Sequence, residues 1–276
     1  MKIGIIGGTG LMGQWFKRFF ELRGYEVVIS GRKTSISMED CAKDCDIVIV
    51  SVPIDCTVDI IKKIGPHVKE ESLLMDFTSL KTEPVKAMLK YSKANVLGMH
   101  PVFGPGVQII RNQTIVLTPG RGKKWLEWAT NLFEKAGAKV RVTTPEKHDE
   151  MMSIIQGMTH FTAISIGYAL KDLGVSIEES MQYTSPIYKL RMDTIGRILN
   201  QDPNLYADIE IMNPHTTKVT DAYIKASQKL QSLIEKKDKK GFVKYFNDAA
   251  NFIGSFKKEA EEYSDYIVEK LVRKRK

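Results

Sequence analysis

The segment Gly98-Met99-His100-Pro101-Val102-Phe103-Gly104 places an imidazole just past a short apolar run of strand type, residues 96–99. A second set has chemistry in its spacing: Gly8-Thr9-Gly10-Leu11-Met12-Gly13, directly after the apolar residues 3–6. Three glycines so spaced allow a tight turn, a close backbone approach to a pyrophosphate, and close packing of helix on strand. The helix that follows turns its free N–H groups and positive dipole end toward the phosphates. Between a strand and an amphipathic helix, this pattern predicts a bound dinucleotide. A histidine that titrates near neutrality can take a proton as a hydride leaves the same substrate. Together the loop and His100 point to a dehydrogenase.

The end of the second strand selects between the two nicotinamide cofactors. An acidic residue there accepts from the adenosine ribose hydroxyls and repels a 2′-phosphate. Here the chain reads Ile29-Ser30-Gly31-Arg32-Lys33-Thr34-Ser35, with no acid. Arg32 can stack on adenine and pair with a phosphate, with Ser30, Lys33 and Thr34 as further donors, so NADP is expected over NAD. Val52-Pro53 and Thr78-Ser79 close the next two strands and should line the same crevice.

Of the five histidines, His67 follows Gly65-Pro66 in a turn, and His215 follows Asn213-Pro214 at a helix start. His148 and His160 lie twelve apart on one long helical stretch, about 120° around its axis. Gln156 and His160, four apart, share a face, which favours His160 over His148 as a site residue; His148, beside Asp149, reads as structural. Arg197 lies four residues after Asp193, the spacing of an ordinary helical ion pair. Cys41, Cys45 and Cys56 lack a metal-site spacing and read as buried thiols, and no metal is expected.

These side chains need elements to hold them. Residues 3–6, 26–29, 47–52, 73–77, 96–99, 114–117 and 139–142 read as strands, and 11–22, 57–64 and 123–136 as crossover helices. Such alternation gives a Rossmann-type doubly wound, mostly parallel α/β sheet. After Thr144-Pro145-Glu146 the pattern turns all-helical: 146–173, 185–200, 216–236 and 240–272. The expected domains are a nucleotide-binding domain at 1–145 and a helical substrate and dimerisation domain at 146–276. Phe161, Ile164, Ile166 and Tyr168 suit either an intrachain core or a second subunit, and a homodimer is expected.

The chain of 276 residues is 43% hydrophobic and 27% charged, an ordinary globular composition. Its net charge of +8 is partly local, in residues 236–240 and in Arg273-Lys274-Arg275-Lys276, runs of the kind that stay solvated. No aromatic-interleaved basic platform suggests nucleic acid. No signal peptide or membrane-spanning run is evident, so a cytoplasmic protein is expected.

At these residues the chain resembles the prephenate dehydrogenase family, especially the dehydrogenase part of bacterial bifunctional chorismate mutase–prephenate dehydrogenases. The resemblance is carried by Met75-Asp76-Phe77-Thr78-Ser79-Leu80-Lys81, Leu97-Gly98-Met99-His100-Pro101-Val102-Phe103-Gly104-Pro105 and Ile155-Gln156-Gly157-Met158-Thr159-His160-Phe161. It continues through Ser185-Pro186-Ile187-Tyr188-Lys189-Leu190, Gly196-Arg197, and Gln201-Asp202-Pro203-Asn204-Leu205-Tyr206-Ala207-Asp208-Ile209. It implies oxidative decarboxylation of prephenate to 4-hydroxyphenylpyruvate, with His100 as the catalytic base and Ser79 hydrogen-bonding around it. It also implies that His160 helps to hold the substrate and that Arg197 binds a carboxylate.

Gln156-Gly157 stands where many monofunctional relatives carry Ser-His, and Gly106 where they carry an acid. No chorismate mutase segment precedes the loop, so that activity is not expected. The competing readings are an arogenate dehydrogenase, a deazaflavin-dependent NADP reductase and a non-catalytic NADP-sensing regulator. A reductase of that kind would not need His100, His160 and Arg197 together, and a regulator would not need to retain them.

Overall fold

The computed structural model describes residues 1–273, with side chains through 270, so the side chains of the terminal basic run lie outside the described residues. The first half alternates β1 (Lys2–Ile6), α1 (Leu11–Glu21), β2 (Glu26–Ser30), α2 (Met38–Asp44), β3 (Ile47–Val50), α3 (Ile54–Ile64), β4 (Leu73–Asp76) and α4 (Thr82–Tyr91). It continues with β5 (Asn95–Pro101), β6 (Thr114–Arg121), α5 (Lys123–Lys135) and β7 (Lys139–Val142). The seven strands lie in the order β2-β1-β3-β4-β5-β6-β7. The first five run parallel, β6 is antiparallel to β5, and β7 is parallel to β6. The order reverses between β1 and β3, the kind of switch point where such sheets open a crevice at the carboxyl ends of their strands.

Side chains alternate along each strand, and each face has its own core. Ile3, Ile5, Ile47, Ile49, Met75 and Met99 face Phe16, Phe20 and Phe133 from α1 and α5. Val48, Val50, Leu74 and Val96 face the opposite way, toward Ile61, Ile64, Val85 and Met88 of α3 and α4. At the carboxyl edge this second face turns polar, because Asp76 follows Leu74 by two residues and His100 follows Val96 by four. Cys41 and Cys45 are buried under β1, where a Cβ at Gly4 would meet their sulfurs at 2.5 and 2.8 Å. Cys56 is half-buried, not enclosed as expected for a core thiol.

The remainder is helical: α6 (Pro145–Met152), a π-helical segment (Ser153–Met158), α7 (Thr159–Asp172), α8 (Ile177–Gln182), α9 (Pro186–Leu199), α10 (Pro203–Met212), α11 (Thr216–Glu235), α12 (Lys239–Ile253) and α13 (Phe256–Arg273). The long helix expected over 146–173 carries the π segment. The one expected over 240–272 breaks at Gly254, whose φ of 64° lies in the left-handed region. The run at 236–240 is exposed and forms the turn after α11 and the first two residues of α12.

The chain forms two compact units, Met1–Ser153 with Ala207–His215, and Ile154–Tyr206 with Thr216–Lys276. The first keeps α6, which packs on α4 and β6. Thr144 caps α6 by accepting from Lys147 N at 3.2 Å, with Pro145 in its first turn. The segment at 207–215 stays with this unit through Asn213, whose Nδ2 donates to Asp149 O at 2.8 Å, and Ile209, buried with Ile54 and Leu80. Among the described residues, no helix is long and apolar enough to cross a membrane.

Candidate active site

The glycine loop joins β1 to α1. Gly7, at φ 79°, makes the turn, and its N–H donates to Ser30 O at 2.8 Å. A Cβ on Gly8 would strike Ile29 Cγ2 at 2.5 Å, and one on Gly13 would lie 2.7 Å from Gly8 Cα, so both contacts demand glycine. Gly10 differs: its Cβ would meet only Gly7 O, at 3.3 Å, a tight contact that a shift of the loop by a few tenths of an ångström would relieve. Gly10 is also the N-cap of α1 and supplies no side-chain cap, leaving the first N–H groups of the helix open to an anion. Thr9 and Leu11 are exposed at this mouth, and Met12 is half-buried.

At the end of β2 the four polar residues divide. Ser30 is buried and its hydroxyl donates to Ile36 O at 3.0 Å. Thr34 Oγ1 accepts from Gly31 N at 2.8 Å and shapes the turn. Both hydroxyls are committed inside the loop. Arg32 and Lys33 are exposed and carry the positive charge. After β3, Val52 borders the Gly7 turn, and Pro53 starts α3, its carbonyl accepting from Thr57 Oγ1 at 2.8 Å.

Beneath the crevice lies a buried polar cluster that the sequence reading missed. Lys81 and Asp76 form an ion pair with both side chains 0% exposed. Lys81 Nζ also donates to Met99 O at 3.0 Å, one residue before His100. Burial pushes its ammonium below the usual lysine range, with Asp76 opposing. Thr78 turns its hydroxyl into this cluster, donating to Asp76 and reaching Leu80 O at 2.9 Å. It therefore braces the turn after β4, with Ser79 half-buried beside it.

His100 lies within β5, opposite Val116, and is 3% exposed. Its Nδ1 lies 2.9 Å from His148 Nε2. His148 Nδ1 lies 2.8 Å from Asp149 Oδ1. Asp149 also accepts from Lys81 N at 2.8 Å and Thr82 N at 2.9 Å, capping α4 from a helix far along the chain. The Nδ1 side of the His100 ring is thus held by His148, a partner not expected from the sequence. Burial, with His148 and Lys81 adding to it, holds the His100 pKa well below the ordinary histidine value, so the ring is neutral. A neutral, oriented imidazole at the carboxyl edge of the sheet suits proton abstraction.

The loop after His100 is tied to the glycine-loop helix, because Trp15 Nε1 donates to Val107 O at 2.6 Å and Phe103 packs on Trp15. Among the described residues, no group of three or more His, Cys, Asp or Glu is placed to hold a metal ion.

In the second unit, His160 is buried with its ring against Tyr206, the centroids 4.4 Å apart. Gln156 lies in the π segment, and its Oε1 is buried without a hydrogen-bond partner. Such segments are common at functional sites, and an unpaired buried oxygen calls for a donor. Arg197 is exposed on α9, and Asp193, its expected partner, pairs instead with Lys189. A separate apolar cleft of about 380 Å³, lined by residues such as Leu170, Met181 and Met192, includes neither His160 nor Arg197.

Comparison with known proteins covers most of the chain. Residues 28–142 match the model of the prephenate dehydrogenase nucleotide-binding domain, and residues 144–248 that of the prephenate dehydrogenase dimerization domain. A probable arogenate/prephenate dehydrogenase of Methanocaldococcus jannaschii is 42% identical over 97% of this chain, which spans 64% of that protein's length. The T-protein of Haemophilus influenzae is 33% identical over 94% of this chain, which spans 68% of its length. Two solved structures share the fold. The Aquifex aeolicus prephenate dehydrogenase, in complex with hydroxyphenyl propionate and NAD+, has a TM-score of 0.73 at 21% identity, covering 91% of this chain and 96% of that one. The Synechocystis arogenate dehydrogenase has a TM-score of 0.72 at 19% identity, covering 93% and 100%.

Proposed function

The chain belongs to the prephenate dehydrogenase family, and from that premise we propose that it converts prephenate and NADP⁺ to 4-hydroxyphenylpyruvate, carbon dioxide and NADPH. The observation that carries the proposal is His100: a buried, neutral imidazole at the carboxyl edge of a dinucleotide-binding sheet, fixed through Nδ1.

The residues present fit the cofactor. Gly10 leaves a gap that a Cβ would occupy, at the uncapped start of α1, where a pyrophosphate is best received. Val52, Pro53 and the Thr78-Ser79 turn lie at neighbouring strand ends, where a doubly wound sheet takes the remainder of the nucleotide. Arg32 and Lys33, both exposed with no acid beside them, favour a 2′-phosphate, and NADP over NAD. When bound, the nicotinamide supplies the hydride acceptor.

His100 takes the proton of the ring hydroxyl on Nε2 as the carbon beneath loses its hydride. It returns that proton to the same oxygen, which ends as the phenol of the product. General-base help of this kind is worth about 10²–10⁴ in rate. Ser79, next in the β4 turn, is assigned to the substrate oxygen. His160, Gln156 and Arg197 are assigned to substrate binding, with Arg197 offering a two-pronged contact to a carboxylate.

The dehydrogenase of M. jannaschii is named for both arogenate and prephenate. Arogenate carries an amine in place of the pyruvyl ketone, and the sequence offers no clear acidic partner for it. Prephenate is therefore favoured. We also propose a homodimer, built on the match to a dimerization domain and on side chains such as Phe246, Phe256 and Tyr263, which are exposed in the single chain, with Phe252 at 90%. Mixing the protein with prephenate and NADP⁺ should produce reduced cofactor, with slower rates on NAD⁺ and on arogenate. Absence of any prephenate-dependent reduction of either cofactor would overturn the assignment.

A further inference from the structure

The hydrogen-bonded series from Asp149 through His148 to His100 has a direction. Asp149 is buried and accepts two backbone N–H groups. Burial alone would raise its pKa, but the hydrogen bonds from His148, Thr82 and Lys81 outweigh that and hold the carboxyl below its usual range. An ionised carboxylate only accepts, so the proton of the 2.8 Å contact belongs to His148 Nδ1. Burial keeps His148 below the ordinary histidine value despite Asp149. A neutral His148 with its proton on Nδ1 has a bare Nε2, which can only accept. The proton of the 2.9 Å contact therefore belongs to His100 Nδ1, and the neutral His100 keeps its lone pair on Nε2.

From this we infer that His148 and Asp149 are positioning residues that impose the Nδ1–H tautomer on His100 and so keep Nε2 free to act as the base, an inference that rests on the proposed role of His100. A histidine side chain in water prefers the opposite tautomer, with the proton on the nitrogen that here must accept one. Reversing that preference needs a dry acceptor aimed at Nδ1, and His148 and Asp149 are both 1% exposed. The series serves again once His100 is protonated. Its two N–H bonds point toward the Asp149 charge, which offsets the imidazolium formed close to the Lys81 ammonium. When the analogous acid of a serine hydrolase is replaced by an amide, the wrong tautomer costs about 10⁴ in kcat.

Two measurements on the full chain test this. Nitrogen-15 NMR of the histidine-labelled, cofactor-free protein at neutral pH, with His100 assigned from the His100→Asn spectrum, should show His100 protonated at Nδ1 and bare at Nε2. Protonation at Nε2 instead would overturn the inference. Kinetically, His148→Leu removes the acceptor, whereas His148→Gln retains an amide oxygen that can take the His100 proton. Leucine should lower kcat on the order of 10²-fold or more, with the prephenate KM and NADP⁺ Kd within about twofold of wild type. Glutamine should stay within about tenfold of wild type. Wild-type turnover in His148→Leu, or equal losses in both variants, would overturn the inference. If the wild-type protein fails to oxidise prephenate, the functional proposal falls, while the NMR spectrum still decides the tautomer.

Discussion

Replacing Lys81 by methionine tests whether the buried cluster under the crevice holds the site in place. Methionine keeps most of the side-chain volume but leaves the Asp76 carboxylate without its cation, at 0% exposure. Asp76 Oδ1 already lacks a partner, so compensation is concentrated on Oδ2, which receives Lys81 and Thr78. Breaking a buried pair from one side costs about 3–5 kcal/mol. Protonation of Asp76 sets a ceiling: raising an ordinary carboxyl from pKa about 3.9 to remain neutral at pH 7 costs about 4 kcal/mol. The expected loss is therefore about 3–4 kcal/mol at pH 7, shrinking by about 1.4 kcal/mol for each unit of acidification. The double variant Lys81→Met/Asp76→Asn carries no stranded charge and should recover most of it. Trp15, Trp125 and Trp128 are the three tryptophans, and all lie in the first unit. Urea unfolding followed by their fluorescence therefore reports the unit that holds the cluster. A loss below about 1 kcal/mol in the single variant, or a double variant no more stable than the single, would refute the reasoning.

Three further outcomes are expected. Gly10→Ala should shift unfolding by less than about 1 kcal/mol while weakening NADP⁺ binding at least tenfold by titration, because its Cβ meets only Gly7 O, at 3.3 Å. Arg32→Ala should raise the KM for NADP⁺ about 10–100-fold, as expected for losing a charged contact worth about 1.5–3 kcal/mol, with the KM for NAD⁺ nearly unmoved.

The third concerns pH. Since His100 is held neutral by burial, His148 and Lys81, the acidic limb of kcat/KM should lie below pH 6.5. Both His100 and His148 have depressed pKa values in the fold, with Asp149 opposing at His148 and Asp76 facing Lys81. The unfolded chain therefore binds more protons below about pH 6.5, and stability falls as pH drops through that value, by up to about 2.7 kcal/mol per unit for the two groups. His100→Asn should roughly halve that slope in urea titrations at stepped pH.

Much of the fold was legible because the sheet writes itself as short apolar runs between helices, and all seven strands lie where such runs occur. The antiparallel β6 was not, since alternation carries no direction. The helix α10 was overlooked despite its opening signal: Pro203 is its first residue, and Asp202 Oδ1 accepts from Asn204 N at 2.9 Å. The break at Gly254 was equally visible as a glycine inside a helical pattern.

Within the site, Gly8, Gly10 and Gly13 follow from local rules, and His100 from its place at the carboxyl end of an apolar run, which the structure extends into β5. The partner of His100 did not follow, because His148 lies 48 residues away and its adjacency arises only when α6 packs on α4. Helical spacing compared His148 with His160 on one helix and set it aside. The burial of Lys81 was hidden because a lysine just before a helix reads as solvated: Asp76 lies only five residues back, but Met99 O and Asp149, which also bind Lys81, lie 18 and 68 residues along the chain. The adjacent His148-Asp149 pair, opening a helix just after the last strand, was the one local hint.

The most direct test of the central claim is prephenate-dependent reduction of NADP⁺ by wild type and by His100→Asn, measured alongside NADP⁺ affinity and unfolding. Asparagine preserves polarity and approximate size but provides no base. The account predicts a folded variant that binds NADP⁺ as wild type does and loses about 10²-fold or more in turnover. A variant that turns over prephenate at the wild-type rate would contradict it.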